Sequence, residues 1–160
     1  MNIFVTSADP VACASYLDDK RVVKMILESC QLLCTTLNLK GIDSPYKSTH
    51  VNHPCSIWTR NSRQNYEWLL SHMEALCNEY TFRYNKTHKC NSYLGMLYDN
   101  REVLNASGLS EFVNCTPYKD MQVFEAYKKT LTEKWTNDKR PPTWNRSRAC
   151  TWFSSLEMNL

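Results

Sequence analysis

The stretch Asp18–Leu39, DDKRVVKMILESCQLLCTTLNL, decides the fold class. Val23, Ile26, Leu27, Cys30, Leu33, Cys34 and Leu37 recur at three- and four-residue spacing, which predicts one amphipathic helix. Asp18-Asp19 can cap its start, and Gly41 follows its expected end near Leu39. Upstream, Asp9-Pro10 predicts a short helix to about Leu17, with Asp9 as cap and Pro10 in the first turn. Downstream, Gly41–Asn52 reads as a loop turning at Asp43-Ser44-Pro45. Pro54 then opens a helical pattern through Ile57, Trp58, Trp68, Leu69, Met73, Leu76 and Tyr80 to about Tyr84, long or with one kink. A further helix is expected over Tyr93–Leu104, a connection over Asn105–Pro117, and a last helix capped by Asp120 that carries Val123, Phe124, Tyr127, Leu131 and Trp135. The one candidate strand is Asn2–Thr6. These patterns predict an all-α fold in which residues 1–160 form one helical domain, with 134–160 as a basic, aromatic tail.

Composition agrees. The chain has 160 residues, 42% of them hydrophobic and 22% charged, enough to bury a core. Its three glycines argue against a Gly-rich phosphate cradle and against folds built on many tight turns. No apolar run reads as a membrane span and no signal-peptide pattern opens the chain, so it is expected to be soluble, intracellular and cytoplasmic. On that ground the eight cysteines are expected to be free thiols. A net charge of +3 is too mild to name a partner, so the placement of charge has to decide.

Two placements stand out. Opposite the apolar stripe of Asp18–Leu39 lie Arg21, Lys24 and Glu28, extended by Gln31 and Thr35. A solvated face explains them, with Lys24 and Glu28 as an i,i+4 pair. However, Met25 and Leu32 share that side, so another segment or a ligand should cover it, and a carboxylate among cations in such a cleft can act as acid, base or electrostatic stabiliser. The second placement is the tail. Lys134, Lys139, Arg140, Arg146 and Arg148 stand against the single acid Asp138, interleaved with Trp135, Trp144 and Trp152. Cations for phosphates and rings for unstacked bases suit nucleic acid, while tryptophans packing on the domain explain the same pattern.

Other polar residues read as structural. Asn61, Asn65 and His72, at the edge of the Pro54–Tyr84 stripe, suit buried side chains that bond loop backbone. His50, His53 and Cys55, with His88 and Cys90 far downstream, match no usual zinc spacing, and no metal is expected. His53-Pro54 suits a loop-to-helix junction.

Three stretches resemble the pyrimidine-dimer DNA glycosylase family of the phage endonuclease V type. MNIFV at positions 1–5 resembles the family's mature start, Thr-Arg-Ile-Asn-Leu. LDDKRVVKMILES at 17–29 resembles its first catalytic helix, with Glu28 at the essential glutamate. KRPPTWN at 139–145 resembles its Arg-Pro-Thr-Trp segment. The central HPCSIW, NYEWL and EYTFRY segments resemble related phage and bacterial proteins. Two departures stand out: Leu27 occupies the position of the family's arginine before the glutamate, and Arg21 that of an upstream histidine.

The resemblance implies a small helical enzyme that flips a base, attacks the sugar C1′ with its N-terminal amine and nicks the strand by β-elimination. The bulky Asn2 implies that Met1 is retained and offers that amine. Lys20 and Lys24 are the alternative amines. Met1, Glu28, Arg21 and Lys24 are then the expected catalytic residues, and Lys20, His53, Arg140, Trp144, Arg146 and Arg148 the expected nucleic-acid contacts. The expected substrate is double-stranded DNA bearing a damaged or modified base, handled by a monomer without cofactor or membrane. A viral nucleotide- or partner-binding module without turnover, and an enzyme of free nucleosides or nucleotides, remain alternatives.

Overall fold

The computed structural model describes residues 1–147 and 150–153. Among these the fold is all-α: α1 (Pro10–Tyr16), α2 (Asp19–Leu39), α3 (Pro54–Arg60), α4 (Arg63–Tyr84), α5 (Leu94–Asp99) and α6 (Val123–Asn137), with short 3-10 turns at Lys89–Tyr93, Arg101–Val103 and Asn145–Ser147. α2 and α4 pack together as the centre, α1 lies on α4, and α3 touches both. One set of buried side chains runs from Ile3 to Phe153.

Local chemistry sets the element ends. Asp9 caps α1 by accepting from the Val11 amide at 2.9 Å, with Pro10 in the first turn. The pattern after Pro54 resolves into two helices, because Ser62 caps a new one by accepting from the Asn65 amide at 3.0 Å. The helix expected over Tyr93–Leu104 shrinks to α5. Asn100 stops it by turning its side-chain amide onto the Met96 carbonyl at 2.8 Å. The cap of α6 is Gln122, accepting from the Glu125 amide, and Asp120 lies outside it.

Asn2–Thr6 is not a strand. The Asn2 side chain accepts from the amides of Ile3 and Phe4 at 2.7 and 3.0 Å, and Phe4 sits at φ 58°, in the left-handed region. Strain at a residue with a Cβ persists only where surroundings over-determine it. Here Ile3, Phe4, Val5 and Thr6 are all buried, and the Phe4 ring meets Tyr127 edge-on.

α2 itself is long and apolar enough to cross a bilayer, contrary to the sequence expectation, but most of it is buried against its neighbours. Its first residues also differ from the expected caps. Asp18 makes no cap bond and instead accepts from the Trp135 indole at 2.8 Å and from Arg21 at 3.2 Å. Asp19 accepts from Arg83 at 3.2 Å, the Thr143 hydroxyl at 2.7 Å and the Asn145 amide at 3.0 Å. Arg83, near the end of α4, is fully buried. It also donates to Glu79 at 2.9 Å and to the carbonyls of Leu17 and Ser15.

Asn65 and His72 are structural. Asn65 donates to the Trp58 carbonyl and the Ser110 hydroxyl and accepts from the Ser110 amide, which ties the connection after Asn105 to α3 and α4. Asn61 is exposed, at the C-terminus of α3. His72 lies 3.0 Å from the Pro10 carbonyl through Nδ1, stacks on Trp68, and leaves Nε2 buried without a partner. Nδ1 must therefore carry the proton of a neutral ring, and burial pushes the imidazole down to about 4.

Two measurements check this framework. Arg83→Met strands Asp19 and Glu79 in a desolvated site and should cost about 3–5 kcal/mol in urea unfolding. An unfolding midpoint close to that of the wild type would remove Arg83 from that role. For His72, the unfolded chain takes up a proton below about pH 6.5 that the folded chain refuses until about pH 4. Stability present above pH 6.5 is therefore lost as pH falls through that window, by about 3 kcal/mol. His72→Asn should flatten this part of the stability–pH curve, whatever its own cost at neutral pH.

Candidate active site

The buried path of Ile3–Thr6 delivers the chain start to the polar face of α2. The α-amine of Met1 lies 3.3 Å from Oε1 of Glu28, with the Met1 side chain 2% and the Glu28 side chain 12% exposed. Glu28 is thus neither solvated nor paired with Lys24 across a helix turn. Its second oxygen, Oε2, is buried and has no hydrogen-bond partner. Both groups open on a cavity of about 260 Å³ that Phe4, Arg21, Lys24, Met25 and Lys134 also line. Met25, which called for a cover in the sequence, faces this cavity alongside the chain's own N-terminal residues. Leu27, counted with the apolar stripe, is exposed.

The cations divide by partner. Arg21 bonds Asp138 at 3.0 Å and Asp18 at 3.2 Å. Burial works against its charge, but the two carboxylates outweigh it and hold the guanidinium above its ordinary value. Lys24 is exposed at the cavity mouth. Lys134 joins the cavity from the last turn of α6. A carboxylate, an amine and mobile cations around a small cleft can move a proton and hold a phosphate.

A second, larger cavity of about 890 Å³ lies beyond Arg21, whose partners Asp18 and Asp138 line it. Lys20, Lys139 and Arg140 stand around it with Pro141, Pro142 and Thr143. The structure therefore brings together Lys20 and Arg140, 120 residues apart in the chain. Trp144 is elsewhere: its indole donates to the Tyr16 carbonyl at 2.9 Å, and its ring packs on Trp135 and Phe153. Arg146 is exposed, in the left-handed region, over the Phe82 ring. Arg148 lies outside the described residues.

His53 caps α3, its Nδ1 accepting from the Cys55 amide at 3.0 Å. Burial, then the positive N-terminus and His50, push its imidazole below the ordinary value, with Glu28 opposing. His53 therefore belongs to the surroundings of the amine. The Cys55 and Cys115 sulfurs lie 3.6 Å apart, and their ligand atoms and that of His53 all fall within 4.8 Å of one another. All eight cysteines are free thiols. Sequence spacing missed this trio because Cys115 comes from a distant connection. Arg83 escaped as well: a lone arginine in a helix carries no signal of burial.

The small cavity thus holds the N-terminal amine and a glutamate in contact. Residues 1–92 match the family described as pyrimidine dimer DNA glycosylase, and the chain belongs to that family. It is a DNA glycosylase by family, and its substrate is DNA. The match covers α1 to α4, hence Met1 and Glu28, and stops before Cys115, α6 and Arg140. Comparison with curated proteins and with solved structures gave no match.

The larger cavity yields a test. If Lys20 and Arg140 each neutralise a phosphate, Lys20→Ala with Arg140→Ala should weaken duplex binding and lower the slope of log K against log salt by about two units. Arg146→Ala supplies the comparison, from a cation outside both cavities. An unchanged slope in the double variant would take the larger cavity out of the DNA path.

Proposed function

We propose that this glycosylase removes a damaged or modified base from double-stranded DNA with the Met1 α-amine as nucleophile and Glu28 as its partner, then nicks the strand, working as a monomer. The observation that supports this reading is the 3.3 Å contact between the amine and Glu28 Oε1. A neutral amine attacks C1′, the bond from C1′ to the base breaks, and the base leaves with the electron pair and takes up a proton. The sugar ring opens to an iminium. Loss of a C2′ proton then expels the 3′ phosphate.

Glu28 can serve twice. Its charge stabilises the positive sugar as the base departs, more strongly in the transition state than before it. Its free Oε2 is an acceptor for the proton that ring opening must move. Lys24 and Lys134 suit phosphates on either side of the sugar. Arg21, tied to Asp18 and Asp138, positions that wall, and Lys20 and Arg140 suit the flanking strand.

Borohydride trapping on a panel of damaged duplexes is the deciding assay. A covalent protein–DNA adduct is expected from the wild type, and none after acetylation of the Met1 amine. Glu28→Gln should cut turnover at least about 100-fold while binding persists. Trapping that survives acetylation but disappears in Lys24→Ala or Lys20→Ala would move the nucleophile to a lysine. Turnover without any adduct would make water the nucleophile. Near-normal turnover in Glu28→Gln would remove the carboxylate from the mechanism.

A further inference from the structure

The chain makes the same His-x-Cys turn twice. At His53 and again at His88 the ring Nδ1 accepts from the amide of the cysteine two residues on, in both cases at 3.0 Å. Each turn sets its cysteine beside another thiol. Cys90 lies beside Cys30 and against the Tyr46 hydroxyl, 3.5 Å away. Cys55 faces Cys115, brought in by the connection between Asn105 and Pro117. Among the described residues, His53, Cys55 and Cys115 are the one trio of such ligands whose atoms all lie within 4.8 Å.

We propose that His53, Cys55 and Cys115 bind a zinc ion that clamps the connection carrying Cys115 to the start of α3. The sulfur spacing and the donor chemistry support it. Two thiolates on one tetrahedral zinc, each at about 2.3 Å, stand about 3.8 Å apart, and the two sulfurs lie at 3.6 Å. A disulfide would need about 2.05 Å, so the two are free thiols in contact, at a spacing that an ion could bridge. The Cys55 amide donates to Nδ1, so zinc binding there exchanges the cap hydrogen bond of α3 for a bond to the metal. Two thiolates and a neutral imidazole also balance a divalent charge and form a soft donor set, which suits zinc over calcium or magnesium.

Burial adds direction to the site. Cys55 is buried, whereas His53 and Cys115 are half-buried, so the trio lies between core and surface. The ion would join anchors already present: the Trp58 indole holds Glu111, Asn65 makes two hydrogen bonds to Ser110, the Phe112 ring packs on Trp58 and Trp68, and the Tyr127 hydroxyl accepts from the Cys115 amide and donates to Val113. The clamp does not depend on the amine mechanism, and its test reads metal binding alone.

The full chain, reduced and kept under inert gas, is titrated with Zn²⁺ against a chromophoric chelator and with Co²⁺ as a spectroscopic probe. One equivalent per chain is expected, with thiolate-to-cobalt charge transfer and the intense visible bands of a tetrahedral site. Bound Zn²⁺ should protect Cys115 from alkylation. Cys115→Ser and His53→Asn should each weaken binding at least about 100-fold, beyond the effect of losing an outer partner. Cys90→Ser should leave it unchanged. Cys55 is buried and its replacement can unfold the chain, so the half-buried Cys115 and a cap-preserving His53→Asn carry the test. Uptake well below one equivalent, or uptake indifferent to Cys115→Ser, overturns the proposal. So does a freshly isolated chain two hydrogens lighter, with Cys55 and Cys115 joined.

Discussion

Arg83 is a cation with no route to water, and the rest of the molecule is arranged around satisfying it. Its guanidinium reaches Glu79 on its own helix, Asp19 at the head of α2, and the carbonyls of Ser15 and Leu17 at the end of α1. A desolvated charge tolerates little displacement of its partners, because each lost bond leaves a polar group unpaired. The joint between α1, α2 and α4 is therefore fixed in angle and register, more sharply than apolar packing alone would fix it. Asp19 passes the constraint on to Thr143 and Asn145, and its neighbour Asp18 passes a second one to Trp135 and Arg21.

That joint matters to the chemistry because Glu28 stands two and a half turns along the same helix. The amine is brought to it from the opposite direction, by a segment held through buried side chains and an Asn2 turn in place of regular structure. A helix fixed at its head and a terminus fixed by burial meet at 3.3 Å. Neither group reaches the other by its own flexibility, and the proposed mechanism asks for such a preset pair.

The sequence made the helical architecture legible wherever a cap and a periodic stripe coincided, as at Asp9-Pro10 and along Asp18–Leu39. It was less informative where side chains rather than periodicity ended an element: Asn100 cutting short the helix after Tyr93, Ser62 dividing α3 from α4. Asp18 and Asp19 look like caps in one dimension and turn out to be acceptors for residues more than sixty positions away. The pairing of Met1 with Glu28 became legible through a resemblance, since nothing in local spacing announces a chain terminus folded onto a helix. For the tail, the tryptophans pack on the domain, while Lys139 and Arg140 remain at an open cavity. Composition alone treats rings and cations as one pattern, and burial separates them.

The family match ends at residue 92, yet the acids at the head of α2 are completed by residues from 135 to 145. A boundary drawn from similarity is thus not a boundary of physical self-sufficiency. A recombination breakpoint after residue 92 would transmit the Met1–Glu28 contact but leave Asp18 without its indole and Asp19 without its hydroxyl and amide. Any foreign partner grafted there would have to supply those donors at the same places. The part of this chain after residue 92 is therefore bound by geometry to the part that matches the family, because it closes over the head of α2 through Trp135, Thr143 and Asn145.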